Sequence, residues 1–139
     1  MNDSKKRVVF VCIENSNRSQ MAEAFARVHG TEELEAYSSG SRPSGRVNPR
    51  AVEFMAERGY DLTAHTSEGL SALPQEEFAA AITMGRGDEC PMVRAVLRAD
   101  WGIPDPKEKS DEEFREIRDG IEAKVKNLLS LLGCLKEGA

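Results

Sequence analysis

The sequence predicts an α/β domain built on a parallel sheet, and three observations predict it. Val8-Val9-Phe10-Val11-Cys12 is a short β-branched and aromatic run, apolar on both faces, which suits a central strand covered on both sides. Further apolar strands alternate with helical stretches along the chain, as crossover units require. The chain closes on a long amphipathic helix with one apolar stripe and charges opposite. Its 139 residues are the length of one domain, so residues 1–139 are expected to form a single unit that buries a core without metal or disulfide staples.

Each element has its own justification. Residues 2–7 read as a polar tail leading into the Val8–Cys12 strand. Ser19 to His29 reads as a helix, with Met21, Phe25 and Val28 on one face and Gln20, Glu23 and Arg27 elsewhere; Gly30 stops it. Ala36 to Ser39 is a second strand, ended by Gly40. Asn48-Pro49 opens a helix, Asn as N-cap and Pro in the first turn. Val52, Phe54, Met55 and Tyr60 supply its apolar groups, and Gly59 is its stop. Ala79 to Met84 is a third strand, ended by Gly85 and Gly87. A short helix is expected over Met92 to Leu97, and a fourth strand over Trp101 to Ile103. Ser110-x-x-Glu113 is a capping box. Phe114, Ile117, Ile121, Val125, Leu128 and Leu132 follow at spacings of three and four, and Gly133 ends the helix. Any ligand is expected beyond the carboxyl ends of the strands.

Composition narrows the function. Nineteen basic against 24 acidic residues leave a net charge of −5, which argues against a general nucleic-acid or acidic-membrane binder but leaves room for a local anion pocket. The N-terminal apolar run ends at Ile13 and is far shorter than the roughly 20 residues a spanning helix needs. It is also too short for a signal peptide, so a cytoplasmic location is expected. Cys12, Cys90 and Cys134 are odd in number and form no C-x-x-C pair. No metal site is expected, and His29 and His65 show no ligand spacing.

The informative stretch is Cys12-Ile13-Glu14-Asn15-Ser16-Asn17-Arg18-Ser19, between the first strand and the first helix. Such a loop can turn the backbone N–H groups of Ile13, Glu14, Asn15, Ser16, Asn17 and Arg18 into a nest for a tetrahedral oxyanion. The helix N-terminus adds partial positive charge, and Arg18 can grip two oxygens at once. The same field favours a thiolate at Cys12, so nucleophile and cradle share one loop. Singly, the Cys reads as a small core hydrophobe and the Arg as a solvated side chain. Together, at C-x5-R-S spacing between a buried strand and a helix, they read as a site.

The segment from Val9 to Ala24 resembles the signature of the low-molecular-weight tyrosine phosphatase superfamily, and Ser19-Gln20-Met21-Ala22-Glu23 resembles its arsenate reductase branch. The likeness continues in Tyr37–Gly40, Val47–Val52, His65–Ser67, Thr83–Gly85, Cys90-Pro91 and Trp101–Pro106. It implies a flavodoxin-like, three-layer fold with four parallel strands and helices on both faces. It implies that Cys12 attacks arsenic or phosphorus, that Arg18 steadies the transition state and that Ser19 hydrogen-bonds the Cys12 sulfur. Asp105, before Pro106, would protonate the leaving oxygen; by composition alone it reads as a turn cap. In that branch the positions of Asn15, Glu23 and Ser38 can hold a potassium ion, but structural hydrogen bonding is the preferred reading for this chain.

The pattern also departs. Relatives often carry a relay Cys where this chain has Arg86, so only Cys90 remains in the redox loop. Three routes stay open. Cys90 resolves the Cys12 adduct and thioredoxin reduces the bridge; a small external thiol, with a glutaredoxin-type protein, resolves it; or water cleaves a Cys12 phosphocysteine, as in a phosphatase acting on phosphate esters. No tightly bound cofactor is implied. The leading expectation is an arsenate reductase of arsenic detoxification. A low-molecular-weight tyrosine phosphatase is the alternative, and a non-catalytic oxyanion module is disfavoured by the intact Cys12, Arg18, Ser19 and Asp105. Cys134 reads as an incidental thiol in a frayed tail.

Overall fold

In chain order the elements are β1 (Lys6–Cys12), α1 (Arg18–His29), β2 (Leu34–Gly40), α2 (Pro49–Ala56), a 3-10 turn at Leu62–Ala64, β3 (Phe78–Thr83), β4 (Ala95–Asp100) and α3 (Asp111–Leu132). The computed structural model describes residues 6–12, 15–40, 42–67, 69, 73–74, 76–85, 93–106 and 108–136. The four strands form one sheet in the order β2-β1-β3-β4, and every neighbouring pair is parallel. This is the doubly wound order expected of a flavodoxin-like sheet. The chain leaves β1 toward β2 on one side and returns to β3 on the other. The crevice beyond the carboxyl ends of β1 and β3 is therefore the topological switch point, and the Cys12 loop opens there.

β1 is buried on both faces, as its composition predicts. Val8, Phe10 and Cys12 join Ala80 and Ile82 in the main core with residues of α1, α2 and α3. Val9 and Val11 enter a second, smaller apolar cluster with Phe78, Ala81 and Val93. The terminal stripe behaves as predicted: Phe114, Ile121, Val125 and Leu128 are buried, and Ile117 and Leu132 pack against them. Ser110 caps α3 with a reciprocal capping box to Glu113, and Gly133 closes it at φ 75°. Asn48 caps α2 by accepting from the Arg50 N–H at 2.8 Å.

Three expectations need correction. β4 covers residues 95–100 where a helix was expected up to Leu97, and Trp101–Ile103 is not a strand; Met92 lies outside the described residues. Ala, Leu and Arg are helix formers, but the open edge of β3 takes this segment as a ladder partner from Phe78↔Ala95 to Thr83↔Asp100. Second, α1 is not a one-faced surface helix. All residues from Ser19 to Ala26 are buried, whereas Val28 is 40 % exposed. Third, Cys134 is not frayed. It is buried, its carbonyl accepts from the Thr31 N–H at 2.8 Å, and Leu135 bridges Gly30.

α2 and α3 are pinned by charge as well as by apolar contact. The Phe54 and Phe114 rings pack in a tilted pair with centroids 4.7 Å apart. Glu57, at the end of α2, accepts from Arg118 at 2.7 Å and from Arg115 at 2.9 Å. The two guanidinium groups hold the Glu57 carboxyl down from its ordinary 4.5 to about 2. A carboxylate held low stabilises the fold above its unfolded value and loses that contribution as pH falls through the folded value. Glu57→Gln should therefore flatten the loss of stability between pH 4.5 and about 2, read as denaturation midpoints across that range. Identical acid slopes in the two proteins would remove the ion pair from the account.

Candidate active site

Cys12 ends β1 and is 3 % exposed. Ser19, in the first turn of α1, places its Oγ 2.8 Å from the Cys12 Sγ. Asn15 donates from Nδ2 to the same Oγ at 2.9 Å. That bond occupies a lone pair of Ser19 and leaves its hydroxyl hydrogen for the sulfur, an acceptor when ionised. Ile13 and Glu14 lie outside the described residues.

Asn15 sits at φ 51°, the left-handed region that alternates with ordinary conformations in anion-binding nests. Three successive carbonyls from this residue on are tied down. The Asn15 oxygen accepts from Gln20 Nε2 at 2.9 Å, the Ser16 oxygen from the Asn48 N–H at 2.8 Å, and the Asn17 oxygen from the Met21 N–H at 3.0 Å. In a trans peptide the N–H points opposite the carbonyl. The N–H groups of Ser16, Asn17 and Arg18 are thus each turned away from the group that holds their peptide. Asn17 is buried, and its Oδ1 has no hydrogen-bond partner among the described residues.

Arg18 opens α1, and its Nη1 donates to the Ile103 carbonyl at 2.8 Å. Gly85 makes room for it: a Cβ there would lie 2.4 Å from Arg18 Nη1 and 3.1 Å from the Ile103 oxygen. The Trp101 N–H donates to Thr83 O at 2.9 Å and the Ile103 N–H to Met84 O at 2.6 Å, which stitches the 101–103 segment to the end of β3. Asp105 is exposed, two residues beyond the carbonyl that Arg18 holds. Cys90 and Arg86 lie outside the described residues. Cys134 packs near Lys6, at the opposite end of β1 from Cys12, roughly 20 Å along a seven-residue strand. Burial pushes its thiol up, away from the thiolate form.

Glu23 and Ser38 are engaged in hydrogen bonds. Ser38 Oγ donates to Glu23 Oε1 at 2.6 Å, and Arg27 Nε donates to Glu23 Oε2 at 2.8 Å. These bonds tie α1 to β2. Among the described residues no cluster of three or more His, Cys, Asp or Glu is placed to hold a metal ion, and no helix is long and apolar enough to cross a membrane.

The family described as low molecular weight phosphotyrosine protein phosphatase matches residues 7–137. This chain belongs to that family. Within the family it is 38 % identical over 125 residues to arsenate reductase 2 of Staphylococcus saprophyticus, covering 88 % of this chain and 95 % of the relative. It is 36 % identical over 128 residues to the glutaredoxin arsenate reductase of Synechocystis, covering 90 % and 97 %. A solved structure of an arsenate reductase in the phosphate-binding state superposes with a TM-score of 0.82 at 35 % identity, covering 90 % of this chain and 97 % of that one.

Of the loop residues singled out from the sequence, the structure joins Cys12, Ser19 and Asn15 by side-chain hydrogen bonds and sets the Arg18 guanidinium on the Ile103 carbonyl. The sequence reading gave Gly85 no steric role and set Gln20 off the apolar face of its helix, with no part in the site. No periodicity marks either, because each acts through a partner remote in sequence. Gly85→Ala should displace the Arg18 guanidinium by about an ångström and lower kcat/KM on an oxyanion substrate about 100-fold, the scale of such a misplacement. Steady-state kinetics beside a thermal melt check this, and near-normal kcat/KM in a folded variant would refute it.

Proposed function

We propose that this protein is an arsenate reductase that works through a covalent thiol–arsenic adduct at Cys12. The observation that carries the reading is the Ser19 hydroxyl 2.8 Å from the Cys12 sulfur, with Asn15 already donating to that hydroxyl and Arg18 next in the same loop. This is an activated nucleophile beside an anion cradle. Arsenate reductases at 36–38 % identity over nearly the whole chain support the choice of substrate.

The steps follow from the chemistry. The Cys12 thiolate attacks arsenic, and the N–H groups of Ser16, Asn17 and Arg18 with the Arg18 side chain hold the oxygens. Asp105 supplies the proton with which one oxygen leaves as water. A second thiolate then attacks the Cys12 sulfur. The S–As bond breaks with its electron pair going to arsenic, which falls from the pentavalent to the trivalent state, and arsenite departs. The two sulfurs are left as a disulfide, which an external dithiol reduces. Cys90 is the internal candidate for the second thiol. A small thiol with a glutaredoxin-type protein is the external one, and the Synechocystis relative bears a glutaredoxin name. Thioredoxin is the partner that fits the internal bridge. Both routes need a reducing compartment such as the cytoplasm. The family description favours a second reading in which water hydrolyses a Cys12 phosphocysteine formed from a phosphate monoester.

One set of assays separates these. Arsenite release is measured with thioredoxin and its reductase, and separately with glutathione and glutaredoxin, beside hydrolysis of para-nitrophenyl phosphate. Cys12→Ser should abolish all three. Cys90→Ser should abolish the thioredoxin-linked release and spare ester hydrolysis, and a Cys12–Cys90 bridge should appear by mass spectrometry after one turnover. Undiminished reduction by Cys90→Ser assigns resolution to the external thiol. Ester hydrolysis by the wild type without arsenite release from any thiol would replace the reductase with the phosphatase.

A further inference from the structure

We propose that Gln20, held in place by His65 and Tyr60, is the positioning residue that aims the Ser16 N–H at the bound oxyanion. The proposal rests on reading the Cys12 loop as an oxyanion cradle and assigns the control of that cradle to side chains outside it.

Gln20 is fully buried in the first turn of α1, and its amide is saturated. Nε2 donates to the Asn15 carbonyl at 2.9 Å and to the Thr66 carbonyl at 3.0 Å. Carbonyls only accept, so both amide hydrogens are spent and the orientation of the amide is fixed. Oε1 can then only accept, and it lies 2.9 Å from His65 Nδ1, so that nitrogen carries the hydrogen. The other ring nitrogen, Nε2, lies 2.6 Å from the Tyr60 hydroxyl and accepts from it. The donors therefore run in one direction: Tyr60 to His65, His65 to Gln20, and Gln20 to the anion loop. Burial favours the uncharged form of both flanking groups, the form this direction requires. It lowers His65, with Glu23 pulling the other way and Arg27 adding to the effect, and it raises Tyr60.

The end of this chain of bonds is a peptide whose orientation matters. Asn15 holds φ 51°, a left-handed conformation that asparagine tolerates better than other residues with a side chain. Gln20 draws the Asn15 oxygen toward α1, and the trans geometry sends the Ser16 N–H the opposite way. Without the Gln20 donor the Asn15–Ser16 peptide can rotate, and the cradle loses one of its inward N–H groups. Asn15 also donates to Ser19, so the same movement disturbs the hydroxyl that meets the Cys12 sulfur.

The test uses inorganic phosphate as the probe. In the wild type, phosphate should shift the Ser16 amide resonance, and calorimetry should give a measurable Kd. Gln20→Met keeps volume and helix propensity but donates nothing. It should weaken phosphate at least about tenfold, the scale of one lost hydrogen bond, and erase the Ser16 shift. With para-nitrophenyl phosphate, KM should rise and kcat fall together, where a purely structural loss would lower only the active fraction. His65→Leu should reproduce part of the defect. His65→Asn, which retains a donor toward Gln20, should restore most of the affinity, and this pair decides the matter if Gln20→Met does not fold. Unchanged Kd and Ser16 shift in folded Gln20→Met, or equal affinities in the two His65 variants, overturn the positioning role alone. No phosphate binding by the wild type overturns the cradle reading beneath it.

Discussion

A backbone can present its N–H groups to an anion only if its carbonyl oxygens are satisfied on the other side, because a buried unpaired carbonyl carries a cost of about 1–3 kcal/mol. Much of this molecule is arranged to meet that condition. The donors to Asn15, Ser16 and Asn17 come from a side chain of α1, the N-cap of α2 and the backbone of α1. Two helices must therefore meet beside the carboxyl end of β1 before the loop has a shape. The depth to which α1 is buried follows from this. Its first two turns carry the loop on one side, the sheet on another and α3 on a third, so Ser19, Gln20 and Glu23 are internal although none is apolar.

A second constraint acts on the charge. A guanidinium beside a loop of N–H groups is repelled by them until an anion arrives, and it needs an acceptor to hold it in the meantime. The Ile103 carbonyl is that acceptor, and the bare backbone of Gly85 is the space in which the two meet. Because Ile103 is itself bonded to Met84, Arg18 joins the loop of β1 to the segment that follows β4, which carries Asp105. Cys12 and Arg18, from one loop, and Asp105, from the segment after β4, thus come from two stretches of chain, and hydrogen bonds at the end of β3 tie the second stretch to the first.

The sheet, its parallel sense and the terminal helix were legible in the sequence because they rest on local patterns: an apolar run in β1, a capping box at Ser110, a stripe from Phe114 to Leu132. The candidate loop stood out in the sequence because Cys12, Arg18 and Ser19 are close together and of unusual type. What was not legible rests on neighbours far along the chain. Residues 95–97 have the composition of a helix and become a strand because β3 offers an unsatisfied edge. Cys134 looked like tail and is core because residues 134–136 bond back to the turn after α1. Gln20 and His65 read as ordinary polar residues, and their meeting across 45 positions has no signature in either segment.

β4 has a consequence of its own. It is the last strand in the sheet order, and among the described residues no strand lies beside its outer rim. Val96 stands 77 % exposed along it. An edge strand beside an exposed apolar side chain is a template for unwanted pairing between molecules. The strand is only six residues long and carries Arg98 and Asp100, both exposed, after Val96. Brevity and charge are the usual guards of such an edge. Exchanging the Arg98 charge for a neutral residue therefore bears on how the protein behaves in concentrated solution.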